Sequence, residues 1–262
     1  LALTVLPPYA GDMEFVIGTS ELAVAGIVTG MSIAGGRAVD VTSANGLLLK
    51  AEQMPVISGI GLPVVMNLST RAVSGPLNIK NSHDDLAQAL GWGWIILCAP
   101  NVQAVYDLNF VALRLAEAVN LPSIVAYDGF HTSHAVRKIS VFADHGAVRK
   151  FLGDKPKRPT LLDLDDPITF GPYMNDDLIN NKVLLEEKMH LAFKLIPHVF
   201  KEYECLSGRP YGFLQRLGEE KSRAVLVALN SAGETAKLGF ERLQDAGEPV
   251  GLMIPTVLRP FP

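Results

Sequence analysis

Cysteine is scarce: Cys98 and Cys205 are the whole complement of a 262-residue chain. Two thiols cannot build a disulfide framework, a CxxC metal site or a four-cysteine iron–sulfur ligand set. They read as ordinary reduced thiols of an intracellular protein. Basic residues are in no excess, 23 Lys+Arg against 27 Asp+Glu for a net charge of −4. No basic stripe interleaved with aromatics appears, which argues against a nucleic-acid binder. Uncharged windows such as Leu22–Gly36 and Pro55–Thr70 are broken by glycine or proline and fall short of the ~18–20 residues of a membrane-spanning helix. No membrane span is therefore expected. Leu1 opens without a basic segment, so no signal peptide is read, and the lack of an initiator Met is read as a missing N-terminus. There is no GxxxxGK(S/T) phosphate loop, no GxSxG elbow and no HExxH helix. Gly59-Ile-Gly61 is followed by Val64 where a dinucleotide fingerprint needs its third glycine.

What is present is apolar: 48% of the residues are hydrophobic and 19% charged, ample for a sizeable core. Up to about residue 140, short apolar runs alternate with helical patterns. EFVIG precedes a helix over Ser20–Ala34, Ala38–Ser43 precedes a helix over Gly46–Ser58, and LPVVMNL precedes a loop Ser69–Asn81 and a helix His83–Leu90. Trp94–Cys98 then precedes a helix Val102–Val119, and Pro122–Asp128 closes the series. The runs are continuously apolar, as for strands buried on both faces of a parallel sheet. Strand–helix alternation at this spacing predicts a doubly wound, mostly parallel α/β domain, with ligands beyond the carboxyl ends of its strands.

Residues 141–180 turn Pro-, Asp- and Lys-rich and read as an extended connector. One amphipathic helix follows over Asn180–Tyr203, with Pro197 an expected kink. From Ser222 a new strand–helix–strand begins, and the chain stops at LRPFP. A lone β-α-β piece buries little, so this second unit is expected to be truncated. The expected division is 1–145, an α/β domain; 146–215, a connector with its helix; and 216–262, the start of a second α/β domain.

Individual residues have ordinary readings first. Glu21, in TSELAVAGIVTG, is an acid in the first turn of an apolar helix, where it complements the dipole. Arg71 ends the run MNLST and by itself is a surface charge, although its planar fork is suited to bidentate binding of a carboxylate. His131 and His134 stand three apart in GFHTSH, and without a nearby third ligand they read as loop hydrogen-bonding groups. His83-Asp84-Asp85 reads as a helix start with acids in its first turn.

A set of ordered segments then changes the weighting of Glu21 and Arg71. SELAVAGIVTGMSIAGGRAVDVTSANGLLLKAEQMPVIS, RAVSGPLNIKNSHDD, NVQAVYDLNFVALRLAE, VAYDGFHTSH, DPITFGPYM, LVALNSAGETAK and VLRPFP together resemble the 2-oxoacid:ferredoxin oxidoreductases. The resemblance is to the α subunit, which carries the pyrimidine-binding domain for thiamine diphosphate, and it runs through nearly the whole chain. It implies that Glu21 holds the N1′ nitrogen of the aminopyrimidine. That bond favours the imino tautomer, so that the 4′-nitrogen removes the thiazolium C2 proton. It places Arg71, fifty positions on, at the substrate carboxylate, and Thr42, Ser43 and Asn45 in the TSxxG turn of the cofactor cleft. Lys80 stands where many pyruvate-type relatives carry an aromatic residue, which bears on substrate identity. The family's YPITPS-like segment has no counterpart in Leu1–Asp12, and the last unit, similar to the transketolase C-terminal type, ends early.

The implied reaction is oxidative decarboxylation of a 2-oxoacid to an acyl-CoA and CO2, two electrons leaving one at a time to ferredoxin or another acceptor. Pyruvate is the first choice; branched-chain and aryl 2-oxoacids come next. No GDG…N segment is present, so Mg2+ and the cofactor's diphosphate are expected on a β-type partner subunit. Iron–sulfur clusters are expected on a ferredoxin-like subunit, with a γ-type subunit completing a cytoplasmic complex that uses CoA. The small residues of LAVAGIVTGMSIAGG suit close helix packing at such an interface. Two alternatives are a non-oxidative, transketolase-like thiamine enzyme and a non-catalytic assembly subunit.

Overall fold

The computed structural model describes residues 16–155, 158–169, 178–218 and 222–262. Helix α1 (Glu21–Ile33) starts where the Ser20 hydroxyl accepts the Ala23 N–H at 3.2 Å, with Glu21 in the first turn. Strand β1 (Ala38–Thr42) follows, then the short helices α2 (Ala44–Leu49) and α3 (Gln53–Gly59) and strand β2 (Val64–Thr70). Helix α4 (Asp84–Ala89), strand β3 (Ile95–Cys98), helix α5 (Val102–Val119) and strand β4 (Ser123–Asp128) complete the alternation. The ends of α5 follow from its chemistry. Asn101 accepts the Ala104 N–H at its start, and Asn120, at φ 51°, takes the left-handed conformation that ends it.

Strands β1, β2, β4 and β3 pair in that order, all parallel, which bears out the doubly wound reading. Successive strand residues face opposite layers, and both layers are covered. Val65, Ile95, Leu97 and Val125 pack on one side against Leu108, Val111 and Leu115 of α5 and against Ala192, Ile196 and Phe200 of α7 (Leu178–Ser207). Val64, Met66, Leu68, Ile96 and Ile124 pack on the other against Val28, Leu47, Met54, Ile57 and Leu86 of α1 to α4. This is why β2, β3 and β4 read as unbroken apolar runs; β1, at the sheet edge, departs from that expectation, with Val39 and Val41 exposed.

Several features differ from the sequence reading. Residues 16–18 of EFVIG form no strand, and its first two residues lie outside the described ones. The helix expected over Gly46–Ser58 is two, α2 and α3. The connector contains a helix, α6 (His145–Leu152), whose first turn is capped by Asp144 accepting the Gly146 N–H at 2.7 Å; part of DPITFGPYM lies outside the described residues. Last, the C-terminal region is more than a β-α-β piece. Strands β5 (Leu214–Leu217), β6 (Ala224–Val227) and β7 (Val250–Pro255), with helix α8 (Asn230–Asp245), form a three-stranded sheet in the order β5-β7-β6. The chain then returns to the first sheet as β8 (Val257–Arg259), antiparallel to β3. Helix α7 extends beyond both expected ends and continues through Pro197.

Candidate active site

Parallel pairing brings the carboxyl ends of β1, β2 and β4 to one edge of the sheet, with Thr42 opposite Leu68 and Thr70 opposite Asp128. The first residue of α1 comes to the same edge. A Cβ placed on Gly46, in α2, would lie 2.7 Å from Glu21 Cγ, 2.8 Å from Glu21 Oε1 and 2.9 Å from Thr42 Oγ1. The Glu21 side chain thus rests on a notch that only glycine leaves open. Glu21 is exposed beyond that notch, whereas Thr42 is buried and its hydroxyl has no partner among the described residues.

Arg71 directly follows β2, and its Nε is likewise buried without a protein partner among the described residues. Ser43 precedes α2 without a side-chain capping bond. Asn45 turns its Oδ1 to the Ser74 N–H at 3.0 Å, tying α2 to the loop after Arg71. Ala44, between Ser43 and Asn45, has φ 40°, a left-handed conformation that costs an L-residue of this kind about 1–3 kcal/mol. Glu21, Thr42 and Arg71 therefore converge on one edge, while Asn45 acts there through the backbone of a neighbouring loop.

Two buried carboxylates hold this edge together: Asp85, read from the sequence as a first-turn acid of a helix, and Asp128, which sequence reasoning did not single out. Asp85 Oδ2 accepts the N–H of Ala44 at 2.8 Å and of Arg71 at 3.0 Å, and its Oδ1 accepts the Leu86 N–H at 2.8 Å. Burial pushes the Asp85 carboxyl up, against the pull of those amides. The only sequence signal was position: Asp85 shares the buried face of α4 with Leu86 and Ala89. Asp128, at the end of β4, receives Thr70 Oγ1 and His83 Nε2, both at 3.2 Å, Asn230 Nδ2 at 3.3 Å, and the amide and hydroxyl of Ser231. Burial alone would raise its pKa, but the bonds from His83, Ser231 and Asn230 outweigh it and hold it at about 2. Through Asn230 and Ser231, this carboxylate fastens the start of α8 to the main sheet.

The remaining candidates separate from this edge chemically. His134 Nδ1 bonds Ser133 Oγ at 2.8 Å, a loop contact, and among the described residues no three His, Cys, Asp or Glu gather as a metal site. Cys98 is buried, its thiol pushed up to about 12 by burial and by the Asp128 charge, and Cys205 is exposed and free. Among the described residues no helix is long and apolar enough to cross a membrane.

A doubly wound domain whose strand ends gather a carboxylate, a hydroxyl and a guanidinium belongs to the class that binds small molecules at the edge of a parallel sheet. The particular family follows from comparison. Residues 3–204 match the family described as "Pyruvate flavodoxin/ferredoxin oxidoreductase, thiamine diP-bdg". The chain is 38% identical over 253 residues to pyruvate synthase subunit PorA of Thermotoga maritima, covering 95% of this chain and 64% of that protein. It is 33% identical to the same subunit of Pyrococcus horikoshii, covering 96% and 64%. To the pyruvate-flavodoxin oxidoreductase of Klebsiella pneumoniae it is 32% identical, covering 92% of this chain and 21% of that one. A solved 2-oxoglutarate:ferredoxin oxidoreductase from Magnetococcus marinus, with 2-oxoglutarate, coenzyme A and succinyl-CoA bound, shares the fold at a TM-score of 0.67. It is 21% identical and covers 99% of this chain and 48% of that one. This chain belongs to the thiamine diphosphate-binding family of pyruvate flavodoxin/ferredoxin oxidoreductases. It spans 64% of the length of the PorA subunits just named.

Proposed function

We propose that this chain is the α subunit of a 2-oxoacid:ferredoxin oxidoreductase and supplies the pyrimidine side of its thiamine diphosphate site. The observation that carries the reading is Glu21 seated on the Gly46 notch beside an unpartnered Thr42 hydroxyl, on the same sheet edge as Arg71. The donor set suits the cofactor: a carboxyl for a ring nitrogen, a free hydroxyl, and an unpartnered guanidinium N–H for an anion. Bound thiamine diphosphate supplies a nucleophilic carbon and an electron sink for loss of CO2. This chain's residues do the rest of the work on its side. Glu21 holds a proton at its carboxyl oxygen against the N1′ nitrogen. Thr42, Ser43 and Asn45 shape the turn facing the ring. Arg71 binds the substrate carboxylate and orients the keto carbon, a bidentate task that lysine performs poorly.

Pyruvate is the first substrate of this proposal, because the three relatives named above at 32–38% identity are pyruvate enzymes, whereas the 2-oxoglutarate enzyme, at 21%, shares the fold. Two electrons leave the 2-oxoacid for ferredoxin or a similar acceptor as the acyl group passes to CoA and CO2 departs. The iron–sulfur clusters are assigned to partner subunits, since two cysteines cannot ligate a cluster, and Mg2+ and the diphosphate contacts likewise, since this sequence holds no GDG…N segment. The test is anaerobic viologen reduction by the complex purified through this chain, with and without CoA, over a panel of 2-oxoacids. Wild type should show CoA-dependent reduction, and Glu21→Gln should lose about 10²–10⁴ in rate, the scale of general acid–base catalysis. A complex that holds thiamine diphosphate and iron yet reduces viologen with no 2-oxoacid overturns the assignment.

A further inference from the structure

Asp85 is fully buried, and among the described residues the donors bonded to it are backbone amides, those of Ala44, Arg71 and Leu86 among them, and none is a cation. A carboxylate without a cationic partner is costly to bury, and amides must offset that cost. Two of those amides are the backbone of the candidate site itself. Ala44 lies inside the turn that carries Thr42, Ser43 and Asn45, and Arg71 is the proposed substrate ligand. One oxygen, Oδ2, receives both, so the β1–α2 turn and the start of the β2–α4 loop are tied to a single atom. Ala44 is also the strained residue of the turn, and such a conformation persists only where its surroundings over-determine it.

We propose that Asp85 is a positioning residue that fixes the cofactor-facing turn and Arg71 relative to one another, so that one carboxylate sets both halves of the site. The inference rests on the function proposed above. It differs from a packing role in what it moves. A carboxylate that merely stabilises the fold changes the folded fraction. One that sets the spacing of two binding elements changes affinity for two ligands in molecules that remain folded. Misplacement of site groups by about 1 Å costs up to about a hundredfold.

The experiment uses the whole complex with Asp85→Ala, Asp85→Asn and, as a reference, Asp107→Asn. Asp107 is equally buried, but its partners are Gln103, Tyr203, Arg209 and Tyr211, between α5 and the end of α7, on the layer opposite α4. The asparagine variant keeps the shape of Asp85 and keeps an acceptor for Ala44 and Arg71, but sets an NH2 against the Leu86 N–H. It guards against an alanine variant that does not fold. Three quantities are read: thermal midpoint, KM for the 2-oxoacid, and Kd for thiamine diphosphate by calorimetry on cofactor-stripped complex. Asp85→Ala is expected to raise KM and Kd together, each by about tenfold to a hundredfold, with Asp85→Asn between it and wild type. Asp107→Asn is expected to lower the midpoint and leave both constants in place. A lowered midpoint with unchanged KM and Kd in the Asp85 variants overturns the inference. Arg71→Lys, measured alongside, separates it from the reading beneath it: that variant should raise KM alone. If Arg71→Lys leaves KM unchanged, the substrate role of Arg71 falls, and Asp85 is then judged on the thiamine diphosphate Kd.

Discussion

Replacing Gly46 with alanine sets local stability against catalysis. In a helix interior alanine is preferred to glycine by about 1 kcal/mol, so α2 itself gains. The added methyl would meet Glu21 Cγ at 2.7 Å, Glu21 Oε1 at 2.8 Å and Thr42 Oγ1 at 2.9 Å. All three distances are too short for contact, so something shifts. Overpacking of a rigid core costs about 1–3 kcal/mol, but Glu21 is exposed and its outer atoms swing away for much less. The two effects nearly cancel, leaving stability within about 1 kcal/mol of wild type, or about 2–4 °C in midpoint for a chain of this size. The displaced group is the proposed proton-holding carboxyl, and its loss costs about 10²–10⁴ in rate. Gly46→Ala should therefore assemble and melt like wild type while losing CoA-dependent viologen reduction at least a hundredfold. Gly239→Ala, in α8, where a Cβ meets nothing within 4 Å, isolates the propensity gain and should keep full activity. Near-normal turnover of Gly46→Ala would show that Glu21 does not work from the notch. An activity loss matched by a collapse in melting temperature would instead make it a packing residue.

Two further predictions concern what holds the edge in place. Asp128 is held at about 2, below the ordinary carboxylate value of 3.8, so its contribution is complete above pH 4 and disappears as pH falls through 2. The depression corresponds to about 2 kcal/mol, at about 1.4 kcal/mol per unit. Asp128→Asn should flatten the acid limb of a stability-against-pH curve between pH 4 and 2, and an unchanged limb would remove Asp128 as its source. Leu115, fully buried between the sheet and α7, should cost about 2–5 kcal/mol as Leu115→Ala in denaturant unfolding. A cost under about 1 kcal/mol would mean that the layer repacks around the gap.

What could be read from the chain, and what could not, divides by the sequence distance over which each feature is determined. The parallel strands announce themselves locally, because burial on both faces leaves runs such as VVM and IILC without alternation. Helix α5 was legible to the residue, Val102–Val119, since its apolar stripe and both its capping asparagines lie within it or beside it. Strands β5 and β8 were not: at four and three residues, they are strands only because β7 and β3 are there to pair with them. The site repeats this division. Glu21 and Arg71 stood out through their resemblance to a family, while their own local signals favoured a helix dipole and a surface charge. The carboxylates that hold the edge carried no signal for their roles, because their partners are remote. Asp85 reaches Ala44 across 41 positions and Asp128 reaches Ser231 across 103. Both acids sit where local rules explain them away, one in the first turn of α4 and one at the end of a strand. An acid in the first turn of a helix is ordinarily exposed, so the informative fact was the one the sequence withheld. Asp85 lies on the apolar face of α4, and a charge is kept on such a face only where other parts of the chain bring donors to it.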